Sequence, residues 1–117
     1  MHTYKMSVLL VTYNSEWKDI KKTLKSIINQ NFDDFELVIS DDGSKDNKFT
    51  QIEEYMEENN FSAYKLVGHD KNQGTVKNLI SGLENCSGKY VRDFGPGDMF
   101  YTRNALKDIY EFMEIKQ

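Results

Sequence analysis

The stretch MSVLLVTY, residues 6–13, decides the fold, because it is a nearly continuous apolar run that contains the β-branched residues Val8 and Val11. Such a run is typical of a strand that is buried on both faces, as in parallel sheets covered by helices. Similar short runs follow at residues 35–40 (FELVIS), at residues 64–67 (YKLV), and within KYVRDFGPGDMF, residues 89–100. The stretch therefore predicts the first of four strands.

Four segments with helical periodicity alternate with these strands. Their apolar positions are Ile20, Leu24, Ile27 and Ile28; Ile52, Tyr55 and Met56; Val76, Leu79, Ile80 and Leu83; and Leu106, Ile109, Tyr110 and Met113. We expect Asn14 or Ser15 to cap the first helix. Thr50 and Glu53 have capping-box spacing for the second helix, and Thr75 is the expected cap of the third. The order predicts an α/β fold with a doubly wound, mostly parallel sheet, in one domain over residues 1–117.

Composition and charge narrow the classes of function. A length of 117 residues matches one small domain, and the net charge of -4 gives no reason to expect nucleic acid as a partner. Cys86 is the single cysteine, so no internal disulfide can form. That usage fits a reducing compartment, and no apolar run approaches the length of a membrane span. We therefore expect a soluble, cytoplasmic domain.

The four strands are each followed by a polar or glycine-rich loop. These loops are Thr12-Tyr13-Asn14, Asp41-Asp42-Gly43-Ser44, residues 69–74 (HDKNQG) and Gly95-Pro96-Gly97-Asp98. In doubly wound sheets the ligand binds beyond the carboxyl ends of the strands, so these loops are expected to form the site.

The adjacent acids Asp41 and Asp42 carry the sharpest local signal, and they allow two interpretations. Neighbouring carboxylates repel each other unless a positive group or hydrogen-bond donors lie close to them. They can accept hydrogen bonds from a nucleobase or a ribose, or help to hold a divalent cation. Asp-Asp-Gly-Ser is also good turn chemistry, with Gly43 free to adopt a positive φ. A dinucleotide-binding Gly-x-Gly-x-x-Gly and a phosphate-binding Gly-x-x-x-x-Gly-Lys-Ser/Thr are both missing.

A stripe of lysines, Lys18, Lys21, Lys22 and Lys25, is spaced to share one face of the first helix. A solvated outer face is the simpler interpretation. The alternative is peripheral contact with an anionic membrane surface, at the inner face of the membrane, which would suit an enzyme that handles lipid-linked acceptors.

Taken together, the strand-end sequences resemble the amino-terminal half of a family 2 glycosyltransferase with the GT-A fold, over about residues 6–112. The motifs that carry the resemblance are residues 7–14 (SVLLVTYN), 26–30 (SIINQ), 35–44 (FELVISDDGS), 72–74 (NQG) with Lys77-Asn78, and 87–91 (SGKYV). The resemblance implies the Rossmann-like half that binds a nucleotide-diphosphate sugar.

The resemblance also implies roles for the residues at the first two strand ends. Thr12, Tyr13 and Asn14 would line the nucleoside pocket. Asp41 would contact the base or the ribose, and Asp42 would support it.

The loop after the fourth strand departs from the family pattern. Relatives commonly have Leu-Asp-x-Asp-Asp there, which holds magnesium or manganese on the diphosphate, whereas this chain has glycines at both positions of the usual Asp-x-Asp. Asp98 is the acid that remains as a metal ligand, and Asp93 is expected to be displaced from the ligand position. Lys77 stands where the family has an arginine or lysine near the nucleotide. The resemblance therefore implies one divalent cation, Mg²⁺ or Mn²⁺, bound together with the nucleotide diphosphate.

The resemblance implies an enzyme that transfers a sugar from a nucleotide-diphosphate sugar to a glycan or lipid-linked acceptor in polysaccharide or cell-envelope glycoconjugate synthesis. The acceptor-binding half and the general base normally follow the fourth-strand motif, so we expect this chain to be the donor-binding part of a longer enzyme. The glycines favour an alternative, a non-catalytic nucleotide-binding or regulatory domain derived from that fold. A phospho-acceptor receiver domain has a suitable length, but it places its acid pair after the first strand.

Overall fold

The computed structural model describes residues 2–116 as four strands that alternate with four helices. The elements are β1 (Tyr4–Thr12), α1 (Trp17–Ile28), β2 (Phe35–Asp41), α2 (Phe49–Glu58), β3 (Tyr64–Gly68), α3 (Thr75–Glu84), β4 (Gly88–Phe94) and α4 (Ala105–Ile115). The strands form one sheet in the order β3-β2-β1-β4, and every pair is parallel. The predicted doubly wound α/β fold is therefore confirmed for the described residues.

The two faces of the sheet are covered by different helices. On one face, Met6, Val8 and Leu10 of β1 belong to a buried apolar cluster to which α1, α2 and α4 also contribute. Because successive side chains of a strand point to opposite faces, Leu9 points the other way, and there Gly82 of α3 lies against it. Residues 6–10 are wholly buried, as the continuous apolar run predicts.

The predicted helix caps are wrong. The cap position of α1 is Glu16 and not Asn14 or Ser15, and the cap of α2 is Lys48, so Thr50 lies inside the helix. Helix α3 begins at Thr75 itself, with Gly74 in the cap position at a φ of 99°.

Tertiary contacts explain why the first helix is not capped as predicted. The backbone N–H of Asn14 donates to Ser44 Oγ, and its side-chain oxygen accepts from the backbone N–H of Lys45. Asn14 also has a φ of 49°, in the left-handed region. It is therefore committed to the loop after β2 and not to α1.

A buried carboxylate joins three strands at the amino end of the sheet. Glu36 of β2 is 1% exposed, and its Oε2 accepts from Ser7 Oγ of β1 at 2.6 Å and from Ser87 Oγ at 2.9 Å, just before β4. The backbone N–H of Ser87 donates to the same oxygen, and the N–H of Gly88 donates to Ser7 Oγ. Lys65 Nζ lies 3.3 Å from the other oxygen, Oε1. We call these residues the Glu36 latch, because they fix the start of β4 against β1 and β2.

Candidate functional site

The ends of β1 and β2 meet through a hydrogen bond between side chains. Thr12 and Asp41 are direct partners in the parallel register of the two strands. Thr12 Oγ1 donates to Asp41 Oδ1 at 2.7 Å, and both residues are at most 5% exposed. The backbone N–H of Asp42 donates to the carbonyl oxygen of Thr12, which continues the pairing one residue beyond the strand. The first two predicted groups of site residues are therefore brought together.

Asp41 also organises the turn that follows it. Its Oδ2 accepts from the backbone N–H of Ser44 at 2.9 Å, and its Oδ1 accepts from Ser44 Oγ at 2.7 Å. Gly43 has a φ of 69°, and a Cβ there would lie 2.4 Å from the carbonyl carbon of Lys71. The turn therefore requires glycine both for its backbone conformation and for its close approach to the loop after β3.

Asp42 holds the loop between β3 and α3. Its carboxylate accepts from the backbone N–H of Gln73 at 2.7 Å, from that of Gly74 at 3.1 Å, and from Asn72 Nδ2 at 3.0 Å. The residue is 2% exposed. These bonds fix the loop beside the amino end of α3, so Asp42 has the structural role that is one of the two interpretations of the acid pair.

Helix α3 is fixed over the same strand ends by Asn78. This residue is 4% exposed, its Nδ2 donates to the backbone oxygen of Ser40 at 3.1 Å, and its Oδ1 accepts from Ser40 Oγ at 2.7 Å. Sequence reasoning did not assign Asn78 a role in the site, although it belongs to the motif that follows β3. A buried amide with both ends bonded to one strand sets the distance between α3 and the sheet.

A cleft of about 350 Å³ opens between the end of β1 and the start of α3. Its walls are formed by Val11, Thr12, Tyr13, Asp42, Asn72, Gly74, Thr75 and Asn78. Tyr13 is 49% exposed and provides an aromatic surface at the cleft. The size lies at the lower end of the range for small-molecule sites, and the walls combine apolar groups with several hydrogen-bonding groups.

The other predicted residues, Asn14, Asp41, Lys77 and Asp98, are not among those that form the walls of this cleft. Asp41 is bonded to Thr12 of the wall, and Asn14 lines another depression with Ser15 and Lys45. Lys77 is exposed on the first turn of α3. The cleft wall also includes Asn72 and Gly74, which belong to a loop that was expected at the site but received no individual roles, and Thr75, which was expected only as a helix cap. Their position in the loop after a parallel strand was the available signal.

Asp98 closes its own loop. Its Oδ2 accepts from the backbone N–H of Gly95 at 3.0 Å, and the N–H of Gly97 donates to Thr23 Oγ1 of α1 at 2.9 Å. Asp98 is exposed, and so is Asp93, whereas Phe94 between them is buried. Within residues 2–116, no group of three or more acidic, histidine or cysteine side chains is arranged to hold a metal ion. Asp98 therefore offers a single carboxylate to a cation.

The comparisons with known proteins agree with this architecture. The family model for glycosyl transferase family 2 matches residues 7–116. The chain belongs to that family, as its strand-end motifs predict.

Two relatives with similar sequences are glycosyltransferases. The chain is 33% identical over 87 residues to a GalNAc(5)-diNAcBac-PP-undecaprenol beta-1,3-glucosyltransferase of Campylobacter jejuni. That alignment covers 74% of this chain and 28% of the relative. The chain is 32% identical over 112 residues to the poly(ribitol-phosphate) beta-N-acetylglucosaminyltransferase TarS of Staphylococcus aureus, covering 94% of this chain and 19% of the relative. The chain thus spans less than a third of the length of these relatives.

Solved structures show the same fold. The crystal structure of S. aureus TarS 1-349 superimposes with a TM-score of 0.83 at 32% identity, over 95% of this chain and 32% of that one. TarS 1-349 has also been solved in complex with UDP and with UDP-GlcNAc. The mannosyltransferase PcManGT of Pyrobaculum calidifontis, solved with GDP-Man and Mn²⁺, gives a TM-score of 0.80 at 23% identity over 90% of this chain and 31% of its own. That last likeness shows the fold alone.

Proposed function

We propose that this chain is the donor-binding part of a glycosyltransferase, and that it binds a nucleotide-diphosphate sugar at the cleft between β1 and α3. The reaction would transfer the sugar to a glycan or lipid-linked acceptor in polysaccharide or cell-envelope glycoconjugate synthesis. The observation that carries the proposal is the Thr12–Asp41 contact beside a cleft with one aromatic wall, at the carboxyl ends of parallel strands. Family membership and the UDP complexes of TarS support it.

The chemistry of the cleft suits a nucleoside. Tyr13 presents a half-exposed ring on which a base could stack. Asp41 accepts three hydrogen bonds from Thr12 and Ser44, and a carboxylate has about four acceptor positions, so one position on Oδ2 remains for a base imide or a ribose hydroxyl. Asp42 has the supporting role of holding residues 72–74, and Asn14 holds the neighbouring turn. These roles make binding and orientation the chain's own contribution.

The diphosphate would extend toward α3 and the loop after β4. Lys77 lies exposed on the first turn of α3, where a cation can approach a phosphate. Asp98 can supply one oxygen ligand to Mg²⁺ or Mn²⁺, since its Oδ1 is not used in the loop bond to Gly95. A hard cation of this kind usually takes one or two carboxylates together with phosphate oxygens and water. When bound, it would neutralise charge on the leaving nucleoside diphosphate.

The proposal also includes a location for the protein in the cell. We propose a cytoplasmic domain that acts at the inner face of a membrane, since lipid-linked acceptors are presented there. Within residues 2–116, none of the helices has the length and apolar character needed to cross a bilayer.

Thermal stabilisation by nucleotides tests the proposal. UDP, GDP and their sugars are added with and without Mn²⁺, and a ligand at a hundred times its Kd should stabilise the domain by about 2.7 kcal/mol. For a domain of this size that corresponds to a rise in Tm of about 10 °C or more. The base that gives the larger shift identifies the donor class.

Single substitutions test the role proposed for each acidic residue. Asp41→Ala should abolish the shift, whereas Asp93→Ala, which changes an exposed acid at the end of β4, should leave it intact. Asp98→Ala should remove only the additional shift produced by Mn²⁺. If no nucleotide stabilises the wild-type chain, the donor-binding proposal is wrong. A shift that is indifferent to Mn²⁺ in the wild type would favour the non-catalytic nucleotide-binding alternative.

A further inference from the structure

A second cleft, of about 370 Å³, lies between α1 and the loop after β4, on the flank of the molecule. Its lining residues are Lys22, Lys25, Ser26, Asn29, Gln30, Met99, Phe100, Tyr101, Thr102 and Arg103. Three of them are cationic and none is acidic, although the whole chain has a net charge of -4. We call this feature the cationic cleft. It is separate from the cleft between β1 and α3, and the two linings share no residue.

The lysine stripe of α1 divides between two environments. Lys18 pairs with Glu16 at 3.4 Å, and Lys21 lies over the ring of Tyr55 at 5.8 Å from its centroid. Lys22 and Lys25 instead line the cationic cleft, and neither forms an ion pair within the described residues. Lys22 and Lys25 are therefore the half of the stripe that lines the cleft.

An aromatic side chain projects from the same cleft. Tyr101 is 96% exposed, and the neighbouring Met99 is 40% exposed. Burying such a ring would release apolar surface from water, and a tyrosine keeps its hydroxyl at the polar boundary while its ring enters an apolar phase. The position suits a surface where water and hydrocarbon meet.

The exposure of Tyr101 is built into a fixed loop. On one side, Phe100 is 7% exposed, packs edge-on against Phe94, and donates its backbone N–H to Ser26 Oγ at 3.1 Å. On the other side, the carbonyl oxygen of Thr102 accepts from Gln30 Nε2 at 2.7 Å.

Arg103 continues this anchoring. Its Nε donates to the carbonyl oxygen of Asn29 at 3.1 Å, and its own carbonyl oxygen accepts from the N–H of Asn31 at 2.6 Å. The loop is thus attached to α1 before Tyr101 and to residues 29–31, just after α1, beyond it, and these contacts fix the backbone on both sides of the exposed ring.

We propose that the cationic cleft, with Tyr101 at its edge, docks the protein onto a bilayer that contains anionic phospholipid. Lys22, Lys25 and Arg103 would lie among the lipid phosphates, and the ring of Tyr101 would enter the boundary with the acyl chains. A free phosphate would use the cations but would gain nothing from the exposed Tyr101 and Met99.

Docking in this way has a consequence for the candidate active site. The loop that carries Asp98 runs directly into Met99 and Tyr101. A docked domain would hold that part of the strand-end rim close to the bilayer. The docking itself does not depend on nucleotide binding, so the two proposals can fail separately.

Vesicle sedimentation tests the inference. The wild-type chain should sediment with vesicles of phosphatidylglycerol and phosphatidylcholine in equal parts, and it should stay in solution with phosphatidylcholine alone. Each cation near an anionic surface contributes about 1 kcal/mol, so Lys22→Gln with Lys25→Gln should lower the partition coefficient by about 30-fold. Tyr101→Ser should weaken binding without changing its dependence on salt, because the ring carries no charge.

A matched double variant keeps the test specific. Lys71→Gln with Lys116→Gln removes the same two charges from exposed positions outside the cleft, and it should change the partition coefficient much less. Thermal melting checks that each variant is folded, and exposed substitutions of this kind usually change stability by under about 0.5 kcal/mol.

Three results would overturn the inference. The first is an absence of wild-type binding to the anionic vesicles. The second is equal losses in the two double variants, which would mean that only net charge matters. The third is full displacement of the protein by inorganic phosphate, which would indicate a simple anion site.

Discussion

Glu36→Gln is the most informative single substitution for the fold, because it keeps the size of the side chain and removes only its charge and one acceptor. In the Glu36 latch, one oxygen accepts three hydrogen bonds, two from Ser87 and one from Ser7, and the other oxygen faces Lys65. An amide oxygen can replace that acceptor, but the amide nitrogen would face a lysine. The start of β4 would then be held by weaker bonds.

The size of the effect follows from the kind of bond. Hydrogen bonds to a charged group contribute about 1.5–3 kcal/mol each, and bonds between neutral groups about 0.5–1.5 kcal/mol. Three such changes are partly offset, because a neutral amide is less costly to bury than a carboxylate. We therefore expect Glu36→Gln to lower the free energy of unfolding by about 2–3 kcal/mol. That is a large part of the about 5–15 kcal/mol that stabilises a typical domain.

Urea denaturation measures this loss. With a slope of about 1–3 kcal/mol per molar urea, the midpoint should fall by about 1–2 M. Lys65→Gln is the matched control, since it removes the half-exposed partner and leaves the three hydrogen bonds in place. That variant should lose less stability than Glu36→Gln, because Lys65 is half exposed and the three hydrogen bonds to Glu36 remain. If Glu36→Gln is no less stable than Lys65→Gln, the latch does not hold β4.

The dependence on pH gives a second readout. Burial by itself raises the pKa of Glu36, but the hydrogen bonds from Ser7 and Ser87 and the charge of Lys65 outweigh it and hold the pKa below 4.5. Because the folded pKa is the lower one, the stabilisation is present above the unfolded pKa and is lost as the pH falls through the folded value. The difference between wild type and Glu36→Gln should therefore shrink below about pH 4.5. A difference that stays constant with pH would refute a role for the charge.

Two further predictions concern β4. Gly88→Ala should lower the free energy of unfolding, measured by urea denaturation, by at least about 3 kcal/mol, because its Cβ would lie 2.4 Å from the backbone of Met6 and Ser7. Gly95→Ala is the control and should cost little, since the nearest neighbour of its Cβ would be 3.6 Å away. Equal losses in the two variants would contradict the packing of β4 against β1. Hydrogen bonds from Lys89, Tyr90 and Tyr110 lower the pKa of Glu114 to about 2. The difference in melting temperature between wild type and Glu114→Gln should therefore be widest near neutral pH and should close as the pH falls from 4.5 toward 2. A difference that widens on acidification would contradict this assignment.

The order of elements was predictable from the sequence because it depends on local pattern. Residues 6–13 form a continuous apolar run, and the helices show clear periodicity, so the sheet and its two helical layers follow from burial alone. The caps were not predictable in the same way. Asn14 has the composition of a cap, yet it bonds to Ser44, which lies 30 residues further along the chain. A contact of that kind depends on the tertiary fold.

The convergence of polar loops was also predictable. The resemblance implied that Asp41 contacts the nucleoside and that Asp42 supports it, but the hydrogen-bond partners of each acid could not be predicted. Parallel strands bring Thr12 and Asp41 to one edge of the sheet, and the register makes them direct neighbours. The role of Asp42 depends on residues 72–74, whose N–H groups and side-chain amide donate to its carboxylate. Those groups come from a loop that sequence reasoning placed only at the rim.

This distribution of hydrogen bonds also affects how a cation would be held near the glycine-containing loop after β4. Asp42 accepts three hydrogen bonds from the loop after β3, and one oxygen of Asp98 accepts from Gly95, so the described residues present few free carboxylate oxygens at the rim. A cation there would take most of its ligands from the nucleotide diphosphate and from water. Cation affinity should then appear only in the presence of nucleotide, and the Mn²⁺-dependent part of the thermal shift, lost in Asp98→Ala, is the quantity that measures it.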